Sequence, residues 1–350
     1  MRLITFEMNG EARLGAWVYD DADVVDLAAA AEQLDGKSDP AYQSMQALIE
    51  AGPAALEKAR MLVESASGAP RFATSECRIL APLPRPAQLR DFLSFPAHVL
   101  GCRVTTAELA IAASEDPEGK RAQMEASGYF NVPPGYYDHP VYYTSNRMAV
   151  FGPDDDILWP SFSTFIDYEL EWGVVIGKEG SQITRERAGE YIFGYTIFND
   201  WSARDEQFKV MGGAVSLGPG VGKDFANSLG PCIVTADEIP NPYALSMKAF
   251  VNGELTSDGN TSGMHFRFEE LIEYLTRGHS LYPGEVLGSG TVGNGCSLET
   301  RRPISPGDTI ELHVESIGVL RNRVVAPHIA PAAAGGFDGV LTKMLQLAIK

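Results

Sequence analysis

Apolar positions along the chain recur mostly at a spacing of two. They fall in short runs closed by Gly, Pro, Asn or Asp, the pattern of half-buried strands. Leu3–Val18 carries two such runs on either side of Asn9-Gly10, a pair suited to a two-residue hairpin turn. Further strand signals lie at Leu89–Ser94, Tyr168–Ile176, Tyr191–Phe198, Cys232–Thr235, Ser246–Val251, Glu285–Ser289 and Thr309–Val314. Helical patterns are fewer: a stretch from Asp26, Ser44–Ser65, Thr106–Ser127 and Phe268–Thr276. Many strands and few helices predict an α+β chain, mainly β, and not a doubly wound sheet. The stiff segment Ala81-Pro82-Leu83-Pro84-Arg85-Pro86 marks the expected boundary. It separates a small N-terminal α/β domain over 1–75 from a catalytic domain over 76–350, with a helical insertion near 106–127. Tyr129–Tyr143, rich in Pro, Gly and Tyr, reads as a loop that either walls a substrate or packs the insertion.

Composition narrows the function. The 350 residues are 45% hydrophobic and 21% charged, an ordinary globular balance, and the net charge is −18. So acidic a surface repels phosphate backbones and anionic membranes, which sets nucleic acid and membrane aside as partners. An anionic small molecule needs cations gathered locally. Cys77, Cys102, Cys232 and Cys296 are scattered without a CxxC pair, which argues against a disulfide framework or a zinc ribbon. No long apolar segment occurs, and a cytoplasmic protein is expected.

Gly288-Ser289-Gly290-Thr291-Val292-Gly293 matches GxGxxG, but Asn294-Gly295-Cys296 is a poor start for the helix a dinucleotide site requires. The chemistry points elsewhere. Within Asp167–Ile176, Glu169 and Glu171 alternate with Leu170 and Trp172, so both carboxylates share one strand face. Like charges so placed call for a cation between them unless the face is simply solvated, and a divalent ion with oxygen ligands answers that need. Phe198–Gln207 crowds Asp200, Arg204 and Gln207 at the end of another apolar run. Asp91-Phe92-Leu93-Ser94-Phe95-Pro96-Ala97-His98 follows the proline connector, and His98 by itself reads as a loop histidine.

Taken together, DFLSFPAH (Asp91–His98), ELE (Glu169–Glu171), FGYTIFNDWSARDEQ (Phe193–Gln207), GKDF (Gly222–Phe225) and GSGTVGNGCSLE (Gly288–Glu299) resemble the fumarylacetoacetate hydrolase family, in its order. The resemblance implies a mixed β-roll catalytic domain behind a small N-terminal domain, assembled as a homodimer. It implies Asp91, Glu169, Glu171 and Asp200 as ligands of a divalent cation, Mg²⁺ first, with Ca²⁺ or Mn²⁺ as alternatives. His98 is then the general base and Glu299 its orienting carboxylate, with Lys223 supporting the developing carbanion. Tyr143, Arg204, Gln207 and Thr291 are implied as substrate contacts. Two places depart from the family pattern: Ala226-Asn227 stands where a Gly-Thr is usual, and Val99–Val104 is unlike the namesake enzyme.

The activity expected is metal-dependent hydrolysis of a carbon–carbon bond in a β-diketo acid, an acylpyruvate or a fumarylacetoacetate-like compound, in the breakdown of aromatic or related compounds. The alternative is a lyase, decarboxylase, tautomerase or dehydratase acting on a 2-oxo acid. The His98–Glu299 pair is read as favouring water activation, and hence hydrolysis. A scaffold protein that keeps the fold without turnover is the non-enzymatic reading.

Overall fold

A computed structural model describes residues 1–64, 70–211 and 217–326. Strands Arg2–Met8 and Glu11–Val18 pair antiparallel, closing at Met8↔Glu11. Asn9 and Gly10 both have positive φ, 54° and 82°, as a type I′ turn requires. Asp26 caps the helix Leu27–Asp35 by accepting from the Ala29 N–H. The helical stretch from Ser44 is two helices, Met45–Ala51 and Pro53–Glu64, because Gly52 and Pro53 break it; Ser65 lies outside the described residues.

The N-terminal hairpin joins the strand Asn227–Thr235 through Arg2↔Val234. A sheet of twelve strands results. From Asn227–Thr235 its order continues through Ile192–Asp200, Leu170–Ile176, Glu285–Gly288, Gln88–Phe92 and Tyr142–Thr144. A second sheet of five strands is formed by Glu254–Asn260, Ser246–Val251, Thr309–Val314, Gly318–Val325 and Asp156–Leu158. The α+β, mainly β architecture expected from the sequence is therefore the one observed.

The central strand Leu170–Ile176 is buried along its whole length. Trp172 points away from the carboxylates into the core. There it stacks on Tyr195 at 5.5 Å and meets Phe268 edge-on at 4.8 Å. Phe268, Leu271, Ile272 and Leu275 are the buried stripe of the helix Phe268–Leu275, at the i, i+3, i+4, i+7 spacing of one helix face.

Two details revise the sequence reading. His98 is not in a loop: a helix runs from Pro96 to Ala112, with Pro96 in its first turn, and Pro117–Ala126 follows behind the Asp116 cap. The helical region thus opens ten residues before Thr106. The Gly288–Gly293 run leads into no helix there. Gly290 has φ 79°, and a Cβ on it would meet the Phe92 carbonyl at 2.3 Å. Close strand approach is what this glycine permits.

Trp172→Ala is expected to cost about 3–5 kcal/mol, the range for emptying a buried aromatic site. Urea unfolding followed by far-ultraviolet circular dichroism measures it.

Candidate active site and metal centre

Strand register gathers the chemistry at one end of the large sheet. Gly288 pairs with Asp91 in parallel, Glu171 with Phe198, Asp200 with Asn227, and Asp91 with Tyr143 on its other side. Four residues far apart in sequence thereby meet within one sheet edge. Glu171 and Asp200 are fully buried, and Glu169 and Asp91 nearly so, which excludes a solvated strand face.

Asp91, Glu171 and Asp200 each offer an oxygen within 4.8 Å of the other two. The Gly290 N–H donates to Asp91 at 3.2 Å and to Glu171 at 3.0 Å, and the Thr291 hydroxyl donates to Glu171 at 3.2 Å. The Tyr143 hydroxyl and the Lys223 ammonium donate to one oxygen of Asp200, while its other oxygen, Oδ1, has no partner. A buried carboxylate oxygen without a donor, in an all-oxygen set, fits a hard divalent cation.

Burial pushes Asp91 up to about 6, with the Glu169 charge adding to it, and pushes Asp200 up to about 8. Burial and the charges of Asp91 and Glu169 carry Glu171 well above the usual carboxylate range. These groups titrate as a set.

Glu169 is placed differently from its neighbour Glu171. It accepts from Arg204 at 2.8 Å and from Lys223, and these cations hold its carboxyl low against the opposing effect of burial. Burial works against the Lys223 charge, but Asp200 and Glu169 outweigh it and raise the ammonium's pKa. Arg204 also donates to Asp167 at 2.9 Å and to Gln207 at 3.0 Å.

His98 stands in the first turn of its helix. Its Nδ1 lies 2.7 Å from Glu299, and its Nε2 lies 3.9 Å from Glu169. Burial opposes a charged ring here, yet the Glu299 carboxylate prevails and sets His98 well above its ordinary value. Glu299 also accepts the Asn294 N–H at 2.9 Å. A Cβ on Gly101 would meet Glu299 Oε1 at 2.4 Å, so glycine one turn along the helix leaves room for the carboxylate.

A cavity of about 420 Å³ opens beside these groups. Asp91, His98, Tyr143, Glu169, Arg204, Gln207, Lys223 and Thr291 line it, while Glu171, Asp200 and Glu299 stand behind that lining. Phe92, Val99, Tyr129, Tyr142 and Phe208 form much of its apolar wall. The Tyr129–Tyr143 segment divides its rings: Tyr129 and Tyr142 face the cavity, whereas Tyr136 packs against Tyr137 and Phe266.

Sequence reasoning missed Asp167, Cys102 and Arg103. Asp167 is fully buried and accepts from Arg204, the Ser297 N–H at 2.8 Å and the Leu298 N–H at 3.1 Å. It thereby orients both Arg204 and the turn that carries Glu299, a link across 130 residues with no local signature. Cys102 lies four residues after His98 on the helix, a spacing that could have flagged it.

Similar proteins share this arrangement's family. Residues 117–325, more than half of the chain, match the family model "Fumarylacetoacetate (FAA) hydrolase C-terminal". The mitochondrial oxaloacetate tautomerase Fahd2a of Rattus norvegicus is 36% identical over 191 residues, 53% of this chain and 59% of that protein. The alignment thus spans about three-fifths of that relative's length. The oxaloacetate tautomerase YisK of Bacillus subtilis is 28% identical over 332 residues, 93% of this chain and 100% of that one. In fold, the chain is like the maleylpyruvate hydrolase of Sphingobium sp. SYK-6 in complex with manganese(II) and pyruvate. The TM-score is 0.66 at 21% identity, over 94% of this chain and 100% of the other.

These relatives correct the expected activity. Both of these similar sequences are oxaloacetate tautomerases, so carbon–carbon bond hydrolysis does not stand as the reading of this chain. The physical reason is that a histidine–carboxylate pair moves protons to and from carbon as well as from water. The His98–Glu299 pair therefore does not discriminate between the two.

The raised carboxylates make stability without a cation pH-dependent. A carboxyl whose folded pKa exceeds its unfolded value stabilises below the unfolded pKa and loses that contribution as pH rises through the folded one. The metal-free melting temperature should fall as pH rises from the ordinary carboxylate range, about 4, to about 8. Added Mg²⁺ or Mn²⁺ should raise it more at the upper end; differential scanning fluorimetry with and without chelator reads both effects.

Proposed function

The chain belongs to the fumarylacetoacetate hydrolase family, and on that premise we propose that it is a divalent-cation-dependent tautomerase, interconverting the keto and enol forms of a 2-oxo diacid of the oxaloacetate kind. The observation that carries this reading is the likeness to oxaloacetate tautomerases; the His98–Glu299 pair, beside the carboxylate cluster and the buried Lys223 ammonium, supplies the proton chemistry it needs. A proton can be moved there beside a site that favours a developing negative oxygen. The tautomerase activity of the Bacillus relative, aligned along 93% of this chain, supports the same class.

Asp91, Glu171 and Asp200 would hold the cation, which supplies a Lewis acid for the oxygens of a 2-oxo acid. The residues of the chain account for the proton traffic. Glu299 accepts a hydrogen bond from the Nδ1–H of His98 and leaves Nε2 free as base toward the cavity. Nε2 removes the proton from C3, the electron pair moves onto the C2 oxygen, and a proton returned to that oxygen completes the enol. The reverse sequence regenerates the ketone. Lys223 places fixed positive charge near the oxygen that gains it. Arg204 holds both Gln207 and Glu169, fixing the floor of the cavity.

A second carboxylate also has a candidate anchor. Arg103 lines the cavity, lies 4.2 Å over the Tyr129 ring and donates Nε to the Tyr129 carbonyl at 2.8 Å. Among the described residues no carboxylate pairs with it. A guanidinium so held meets a diacid's far end without first breaking an ion pair.

Proton NMR in D₂O tests the proposal directly. Oxaloacetate, with Mg²⁺ or Mn²⁺, should exchange its C3 protons at an enzyme-dependent rate with no new product. Pyruvate appearing at that rate would assign a decarboxylase instead. His98→Ala should lower exchange by roughly 10²–10⁴-fold, the usual weight of a general base. In Glu299→Gln the rise of rate with pH should move to lower pH, because losing the anion lowers the pKa of His98.

Arg103→Ala should raise KM by roughly 10–100-fold, with kcat changed far less, as for loss of a charge-assisted hydrogen bond to substrate. Initial-rate kinetics over a substrate series separates the two constants.

A further inference from the structure

His98, Cys102, Cys296 and Glu299 form a second cluster, distinct in chemistry from the three carboxylates. Their ligand atoms all lie within 4.8 Å of one another. Cys102 Sγ is 3.8 Å from His98 Nδ1, and Cys296 Sγ is 3.3 Å from Glu299 Oε2. His98 and Cys102 are four residues apart on one helix, and Cys296 and Glu299 three apart on a turn, so two short-range pairs face each other. Zinc–ligand distances of about 2.0–2.3 Å give tetrahedral edges of roughly 3.3–3.8 Å. The two sulfur distances already fall in that range, and the 2.7 Å His98–Glu299 contact needs to open only slightly. Cys296 is fully buried, while Cys102 lines the cavity and offers the way in.

We propose that His98, Cys102, Cys296 and Glu299 form a tetrahedral site for a soft divalent cation, Zn²⁺ by its chemistry, whose occupation shuts the enzyme off. Thiolates and imidazole select zinc over magnesium, whereas Asp91, Glu171 and Asp200 select hard cations. The two clusters therefore sort cations by softness within one cavity. Binding releases the protons of the two thiols to solvent. It also takes Nδ1 as a ligand, which sends the ring's proton to Nε2. That is the tautomer in which Nε2 cannot accept a proton, so His98 stops being a base. The site stands on its own geometry; only its effect on turnover rests on the base assigned to His98.

Co²⁺ is the spectroscopic probe, added to the reduced full chain with Mg²⁺ in excess to keep the carboxylates filled. One equivalent should give tetrahedral cobalt bands and a thiolate-to-cobalt charge-transfer band. Both should vanish in Cys102→Ser and in Cys296→Ser and persist in Asp200→Asn. Under tautomerase assay Zn²⁺ should inhibit the native chain reversibly, with chelator restoring activity. Cys102→Ser should turn over without zinc and need at least ten times more zinc for half-inhibition. A weak octahedral cobalt spectrum without a thiolate band overturns the site. So does zinc inhibition that is unchanged in Cys102→Ser. If no 2-oxo acid is tautomerised, the cobalt spectrum still decides the site while the activity assignment fails by itself.

Discussion

Asp91, Glu169, Glu171 and Asp200 crowd one dry sheet end beside two permanent cations, Arg204 and Lys223, and that imbalance governs everything around them. A buried, unpaired carboxylate costs several kcal/mol. Each neighbour reduces that cost in its own way. Glu169 takes the two cations. Glu171 takes backbone and hydroxyl donors from Gly290 and Thr291. Asp200 shares Lys223 with Glu169, takes Tyr143, and keeps one oxygen without a donor. Glycine at 288 follows from the same constraint, since a Cβ there would meet Asp91 Oδ1 at 2.5 Å.

Much of this is legible in the chain itself. The alternation of Glu169 and Glu171 places both on one face, and the strand and helix around Trp172 and Phe268 declare themselves by period. What stays hidden depends on distance across the fold. Nothing local separates Glu169 from Glu171; the ion pairs from residues 204 and 223 do that. Asp167 reads as the start of a strand, and its bonds to residues 204, 297 and 298 form only when the sheets close. His98 by itself reads as a loop histidine, although Pro96 stands two residues before it. A proline in the first helical turn removes no hydrogen bond, so it begins the helix.

The activity is misread from sequence for a chemical reason. Hydrolysis of a β-diketo acid and tautomerisation of a 2-oxo acid both pass through an enolate held by a metal and a cation, with a proton in transit at a neighbouring base. Side chains suited to that shared species look alike in sequence. Phe92, Tyr129, Tyr142 and Phe208 wall the cavity in which the two reactions would part. Water near an electrophilic carbon gives hydrolysis; exclusion of water leaves proton exchange.

The parallel pairing of Gln88–Phe92 on Glu285–Gly288 has a consequence for how this chain can be cut and recombined. The segment matched by the family model begins at residue 117, yet Asp91 and His98 lie upstream of it. Taken as a portable module, 117–325 carries two of three clustered carboxylates and a Glu299 with no imidazole to hold. The cluster is instead a split one, closed by a strand laid in from outside the conventional border. Chimaeras that exchange the matched segment alone part His98 from its Glu299 and Asp91 from Glu171 and Asp200, whereas crossovers placed before residue 88 keep both groups intact.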